Sequence, residues 1–307
     1  MDPLSDIMNL ISARSYVTVG LAAGDKWSAQ FSPFDGLKVI CIRKGIFWLK
    51  SGENETWYEL RSGDGIILTD GETFSMCTKN GDKKTLINSK ELTHTKDLGI
   101  INYGGDTNVL LAGRMSVNQL GNQLFKKELP AVMPFSTGSS TSSTLNWLLK
   151  QLLQESTTQG LGTIVASNHL MHLIILEILR IWIITNEDTQ SGWFNAIKDD
   201  RIAKTISMIH QNPSKDWSLS ELAEISNLSK SGISQKFNQL LGLSPLKYVT
   251  YWRMQIAIKA LYQGNTSIKD IAFGLGYNAE STFSTAFKRV HHISPSAYRE
   301  NIEHTSQ

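Results

Sequence analysis

SLSELAEISNLSKSGISQKFNQLLGLSPLKY (residues 218–248) and SIKDIAFGLGYNAESTFSTAFKRVHHISPSAY (residues 267–298) are two copies of one pattern. Leu222-Ala223 recurs as Ile271-Ala272 at an offset of 49 residues. Phe237, Pro245 and Tyr248 recur as Phe287, Pro295 and Tyr298 at an offset of 50, so one residue has been added near the turn. Apolar positions, a small alanine and a closing Ser-Pro that all recur mark a structural repeat. Ser218-x-x-Glu221 is a capping box that opens a short helix, and Ser267-x-x-Asp270 is its counterpart. Ala223 and Ala272 let the next helix approach closely, and the turns at Ser226-Asn227 and Gly274-Leu275-Gly276 hold residues that tolerate left-handed backbone. The helices that follow bury Ile233, Phe237 and Leu240 in one copy, and Phe283 and Phe287 in the other. Each copy is expected to be a helix-turn-helix, at about residues 218–241 and 267–290.

Residues 246–263 between the copies contain no Gly or Pro and many helix formers. At about 1.5 Å per residue they make a rod of roughly 27 Å. With the width of the units added, the two second helices would sit close to one B-DNA turn apart, about 34 Å. One chain could then place both in successive major grooves.

Upstream the pattern changes. Residues 27–111 show short apolar runs, such as Leu37-Lys38-Val39-Ile40-Cys41-Ile42 and Gly45-Ile46-Phe47-Trp48-Leu49, separated by Gly/Asp turns. That spacing predicts a small antiparallel barrel or sandwich, with strands over about 15–130. STGSSTSST (136–144) is a low-complexity connection. Beyond it Leu145, Leu148, Leu149, Leu152 and Leu153, then Leu170, Leu173, Ile174, Ile178 and Ile181, fall at helical spacing, with helices over about 142–188. This helical pair either closes the barrel or pairs with a second subunit. TNEDTQSG (185–192) leads to Trp193. The expected architecture is two-domain: a mainly-β barrel followed by helices over 1–190, and an all-α domain with two helix-turn-helix units joined by a long helix over 191–307.

Composition agrees with a soluble globular chain: of 307 residues, 41% are hydrophobic and 19% charged. The net charge of +2 is uneven, with 13 Lys/Arg against 9 Asp/Glu over residues 191–307 and 17 against 19 before them. A mildly basic C-terminal part favours a polyanionic partner. Cys41 and Cys77 lack metal-type spacing and cannot make a disulfide framework. MDPLSDIMNL has no basic n-region, so it is not a signal peptide. The apolar stretch Leu170 to Ile184, about 15 residues, falls short of the roughly 20 that cross a bilayer. A cytoplasmic protein without membrane contact is expected.

The stretch from about Arg201 to Arg299 resembles the DNA-binding domain of AraC/XylS-type transcription regulators. The resemblance rests on Asp270-Ile271-Ala272, Gly276-Tyr277, Phe283-Ser284-x-Ala286-Phe287-Lys288-Arg289 and Ser294-Pro295-Ser296-Ala297-Tyr298-Arg299. It implies base contacts from Ser231, Ser234 and Gln235, then from Ser281 and Thr285, and phosphate contacts from Lys230, Lys236, Lys288 and Arg289. Many relatives have Arg or His where this chain has Gly232 and Gln235, and a glycine where it has His292. Small hydroxyls give few bidentate base contacts, so shape and phosphate contacts gain weight.

The first domain resembles, more loosely, the cupin-like sensor domains of a subset of these regulators. That resemblance is carried by DPLSDIMNLI, Arg61-Ser62-Gly63-Asp64, Ala112-Gly113-Arg114, Glu128-Leu129-Pro130, LNWLLKQLLQE and Gly192-Trp193. It implies a sensing and dimerising role, with a small-molecule effector inside the barrel; Trp27, Ile40, Trp48 and Phe74 are the candidate pocket residues. Control could come from that effector or from dimer geometry. A ligand-independent barrel that only dimerises or docks a partner protein is the alternative, and a barrel filled by its own side chains would favour it. A metal-dependent cupin enzyme would need clustered His and Glu ligands. The only histidine before Ala166 is His94, and Phe74 stands where a ligand histidine would be; His291-His292 reads as a helix end. No catalytic residue, metal or cofactor is expected. The expected partners are double-stranded DNA, a second copy of the chain, and RNA polymerase if the chain activates transcription.

Overall fold

The computed structural model describes residues 2–52, 56–79, 87–88, 100–136, 143–158, 160–186, 192–264 and 266–305. His94 and most of the connections at 136–144 and 185–192 lie outside the described residues. The chain forms two compact units: Ser12–Thr185, and a discontinuous one made of Met1–Ile11 with Asn186–Gln307. The sequence division at 190/191 therefore differs from the packing in its first helix, α1 (Pro3–Leu10).

The unit Ser12–Thr185 contains β1 (Arg14–Ala23), β2 (Ser28–Phe31), β3 (Leu37–Lys44), β4 (Ile46–Ser51), β5 (Tyr58–Arg61), β6 (Asp64–Leu68), β7 (Phe74–Thr78), β8 (Ile87–Asn88), β9 (Ile100–Tyr103), β10 (Asn108–Ser116) and β11 (Val132–Ser136). Helix α2 (Gln119–Glu128) precedes β11, and α3 (Ser143–Thr158) and α4 (Thr163–Thr185) follow it. A six-stranded sheet in the order β11-β6-β3-β10-β1-β9 accompanies a five-stranded sheet in the order β5-β4-β7-β2-β8. Side chains alternate across a strand. Ile40 and Ile42 of β3, Ile66 and Leu68 of β6, and Leu110 and Ala112 of β10 join Trp27, Phe47, Leu49, Phe74 and Met76 in one core. Val39, Ile67 and Met115, on the other face of the six-stranded sheet, are fully buried too. That sheet is buried on both faces, which is why its strands read as continuous apolar runs. The β5–β6 turn needs Gly63, at φ +91°; its N–H donates to Ile42 O at 2.9 Å, and Asp64 accepts the Arg61 N–H at 2.9 Å.

The expected pocket residues separate here. Trp27, Ile40 and Phe74 are core: Trp27 meets Phe47 edge-on at 6.0 Å, and Phe74 stacks on Phe31 at 4.6 Å. Trp48 is not with them. Its neighbours Phe47 and Leu49 point into the core, so alternation puts Trp48 on the opposite face, half-buried. At the three positions that do face it, the space between the sheets is taken up by the protein's own side chains.

Helix α4 also corrects an expectation. It runs 23 residues rather than about 15, and is long and apolar enough to cross a membrane. Part of its apolar character has a local cause: Met171, Ile174, Ile175, Ile178 and Leu179 are buried, and α4 packs against α3, β1 and β10. Gly113 makes that approach possible, since a Cβ there would lie 2.4 Å from Met171 Cε.

The second unit holds α1 together with α5 (Trp193–Ala196), α6 (Asp200–Gln211), α7 (Leu219–Ile225), α8 (Lys230–Leu241), α9 (Pro245–Gln263), α10 (Ile268–Gly274), α11 (Glu280–His291) and α12 (Pro295–Thr305). A buried polar chain ties four of these together. Trp193 Nε1–H donates to the Tyr248 hydroxyl at 3.1 Å, and that hydroxyl lies 2.9 Å from His210 Nε2. His210 Nδ1 lies 3.3 Å from Asp6 Oδ2. With a neutral imidazole protonated on Nδ1, every donor in this chain has an acceptor. Burial enforces neutrality, pulling the His210 pKa down to about 3, and Trp252 stacks on the ring at 3.4 Å. Lys259 Nζ adds a bond to Asn9 O at 2.7 Å. These bonds explain why α1 packs with the C-terminal helices. Gly192-Trp193, read from sequence with the sensor, also belongs here: Gly192 N–H donates to Leu240 O at 2.7 Å.

Candidate nucleic-acid interface

Two helix pairs, α7–α8 and α10–α11, repeat the same construction from the same residue types. Ser218 Oγ accepts the Glu221 N–H at 3.2 Å, and Glu221 Oε2 accepts the Ser218 N–H at 2.9 Å, completing the capping box. The hydrogen bonds from Ser218 and the contact with Lys215 hold the exposed Glu221 carboxyl down at about 2. In the second copy Ser267 Oγ accepts the Asp270 N–H at 3.1 Å. Asn227 at φ +51° and Gly276 at φ +80° make the turns, as their positions in the repeat require. Tyr277 N–H then donates to Ala272 O at 3.0 Å, and Leu228 N–H to Ala223 O at 3.0 Å. Ile233, Phe237, Phe283 and Phe287 are each fully buried, at roughly 1.5–3 kcal/mol per side chain. Leu240 is half-buried.

The opposite faces carry the predicted contact residues. Lys230, Ser231 and Gln235 on α8, and Ser281, Thr285, Lys288 and Arg289 on α11, are all exposed; Ser234 is half-buried. Thr285 Oγ1 donates to Ser281 O at 2.9 Å, so its hydroxyl hydrogen is engaged within the helix and the oxygen is left to act as an acceptor. Ser231 Oγ is 3.0 Å from the N-cap Ser229 Oγ. Gly232 lies in the first turn of α8, where its N–H is capped by Ser229 at 3.0 Å. The N-cap of α11, Ala279, offers no side-chain cap, so its first-turn amides present a weakly positive end. His292 is the left-handed C-cap of α11, at φ +65°.

Lys236 departs from its expected role. It is half-buried, and its ammonium is held by the carboxylate of Asp199, the N-cap of α6. Burial works to raise the Asp199 pKa, but Lys236 and Arg201 hold it below the usual range. Lys236 thus braces the first helix-turn-helix against α6 instead of facing outward with Lys230.

Sequence reading missed the junction that fixes the two units to each other. Arg253, on the connecting helix α9, donates from Nε to Pro213 O at 2.6 Å and from Nη2 to Lys215 O at 2.8 Å. Its guanidinium also sits over the Tyr277 ring, 5.4 Å from the centroid. In the same loop, Ser214 O approaches the second turn so closely that a Cβ on Gly276 would lie 2.1 Å away. A groove of about 470 Å³ opens beside this junction, lined by Thr250, Arg253, Tyr277, Ser281, Thr285 and Arg289 among others. The local sequence marks this junction only through Gly276-Tyr277, because the partners of Arg253 lie 38 and 40 positions away.

Comparison with known proteins agrees with this construction. A helix-turn-helix domain model matches residues 222–301, and a cupin model matches residues 2–184. A putative AraC-like transcription regulator from Streptomyces antibioticus is 30% identical over 302 residues, covering 98% of this chain and 99% of its own. The chain belongs to the AraC-like transcription regulators. The HTH-type transcriptional regulator MtrA of Neisseria gonorrhoeae is 23% identical, with 97% of this chain and 98% of its own covered. A crystal structure of ToxT from Vibrio cholerae O395 aligns over 94% of this chain and 97% of its own, at 14% identity and a TM-score of 0.36. This AraC-like regulator is a DNA-binding protein with an N-terminal cupin domain and a bipartite helix-turn-helix domain.

Proposed function

We propose that the C-terminal unit reads double-stranded DNA by laying α8 and α11 in successive major grooves. Ser231, Ser234, Gln235, Ser281 and Thr285 face the bases, while Lys230, Lys288 and Arg289 engage phosphates. The observation that carries this is the junction of Arg253, Ser214 and Gly276, which ties together two outward polar faces of the same build. The cupin unit senses a small molecule and pairs with a second copy, and the chain acts by binding, without catalysis of its own. If it activates transcription, RNA polymerase is a further partner, in the cytoplasm where its DNA lies.

A ligand-independent barrel is favoured by the filled space between the sheets, where Trp27, Ile40 and Phe74 are core. Trp147 on α3, with Ile164, Val165, Leu173 and Ile184 on α4, are exposed apolar side chains that a second subunit would cover. This face serves pairing whether or not a ligand binds.

The DNA reading is tested by salt dependence. Changing both Lys288 and Arg289 to Gln removes two phosphate contacts from an exposed face. The slope of log K against log salt for any duplex should then fall by about 1.8. An unchanged slope would mean that α11 does not face the backbone.

A further inference from the structure

The outer face of the six-stranded sheet holds a cleft. Phe135, Gly65, Cys41 and Leu111 lie in register across β11, β6, β3 and β10. Leu110, Ile40, Ile42 and Ile66 flank this row and point into the core, so the row itself faces away from the core. Gly65 has no side chain and Cys41 a short one, so the row is hollow between two large residues. The Phe135 ring leans into that hollow, and a Cβ on Gly65 would lie 2.2 Å from it.

Helix α3 roofs the hollow without filling it. Leu149, Leu152 and Leu153 descend from α3 beside Asn146 and Lys150, enclosing about 300 Å³. That volume lies at the lower end of the range, about 300–1,000 Å³, that small-molecule sites occupy. The walls are mostly apolar, but Asn146 Oδ1 is buried there without a hydrogen-bond partner among the described residues. Such an acceptor costs free energy until a donor reaches it. At the rim, exposed Arg43 and Lys150 stand against one carboxylate, Asp64, which already accepts the Arg61 N–H.

We propose that this cleft between the sheet and α3 is the effector site, and that it takes a compact aryl carboxylate bearing a hydroxyl or N–H donor. The ring fills the apolar space over Gly65 and Cys41, the donor meets Asn146, and the carboxylate meets Arg43 and Lys150. This rests on the reading of the cupin unit as a sensor, and moves the ligand from the filled space between the sheets to the opposite face of one of them.

Calorimetry on the full chain with 3-(4-hydroxyphenyl)propanoate and its methyl ester tests the assignment. The acid should bind one per chain with a Kd below about 1 mM. Leu149→Trp, which fills the cleft, should abolish binding of both compounds. Arg43→Gln with Lys150→Gln changes only exposed side chains, so folding is not at stake. That pair should weaken the acid about tenfold and leave the ester unchanged. No saturable binding, or binding indifferent to both variants, overturns the cleft; in the second case the sensor reading survives with its site elsewhere. Binding that obeys both variants but leaves DNA affinity unaltered upholds the cleft and overturns the sensor reading instead.

Discussion

Gly276→Val lowers the stability of the helix-turn-helix unit by roughly 3–5 kcal/mol in urea unfolding. Two costs combine. A β-branched side chain is forced to φ +80°, and its Cβ would start 2.1 Å from Ser214 O, a backbone atom that cannot swing aside. Two residues earlier, Gly274 supplies the control: among the described residues no atom outside its own helix lies within 4 Å of a Cβ there, and its φ is not left-handed. Gly274→Ala should be neutral or should stabilise by about 0.4–1 kcal/mol, because alanine narrows the unfolded ensemble. Equal unfolding midpoints for the two variants would show that the second turn does not pack on the loop at Ser214.

Acid weakens the same unit through His210. In the fold, burial holds this imidazole's pKa at about 3, against 6.5 in the unfolded chain. Between those values the unfolded state binds a proton that the folded state does not, so stability rises with pH across the window and is lost as pH falls from 6.5. One such group gives at most about 1.4 kcal/mol per pH unit, or about 2 kcal/mol between pH 6.5 and 5. His291, lowered by burial, acts in the same direction, whereas Asp6, raised by burial, opposes both and flattens the slope at the acid end of the window. His210→Gln should be less stable than the parent at pH 7, yet should show a flatter dependence between pH 7 and 5. A parent whose stability is level across that window would mean that the imidazole charges freely in the fold.

Local signals were the legible ones. The capping serines Ser218 and Ser267, the left-handed Asn227 and Gly276, and the stripe of Phe237, Phe283 and Phe287 all act within a few residues of themselves, and all stand where the repeat put them. What escaped depends on distant partners. Asp6 meets His210 across 204 positions, so nothing local could assign α1 to the C-terminal unit. The phosphate role that the resemblance implies for Lys236 gives way to Asp199, a partner 37 positions away that no local pattern shows. Trp48 is different, because its outward placement follows from local strand alternation with Phe47 and Leu49. The cleft under α3 needed cross-strand register, since Phe135, Gly65, Cys41 and Leu111 come from four separate strands.

In the proposed reading one chain holds two DNA-contacting helices at a fixed separation, clamped by Arg253 and the loop at Ser214. The direct measurement is footprinting of the full chain on duplexes it selects from random sequence, repeated with five base pairs inserted between the protected segments. The account predicts two protected major-groove segments about 10–10.5 base pairs apart on one face, and at least a roughly tenfold loss of affinity with loss of one segment on insertion. A single protected segment, or affinity indifferent to the insertion, would contradict it.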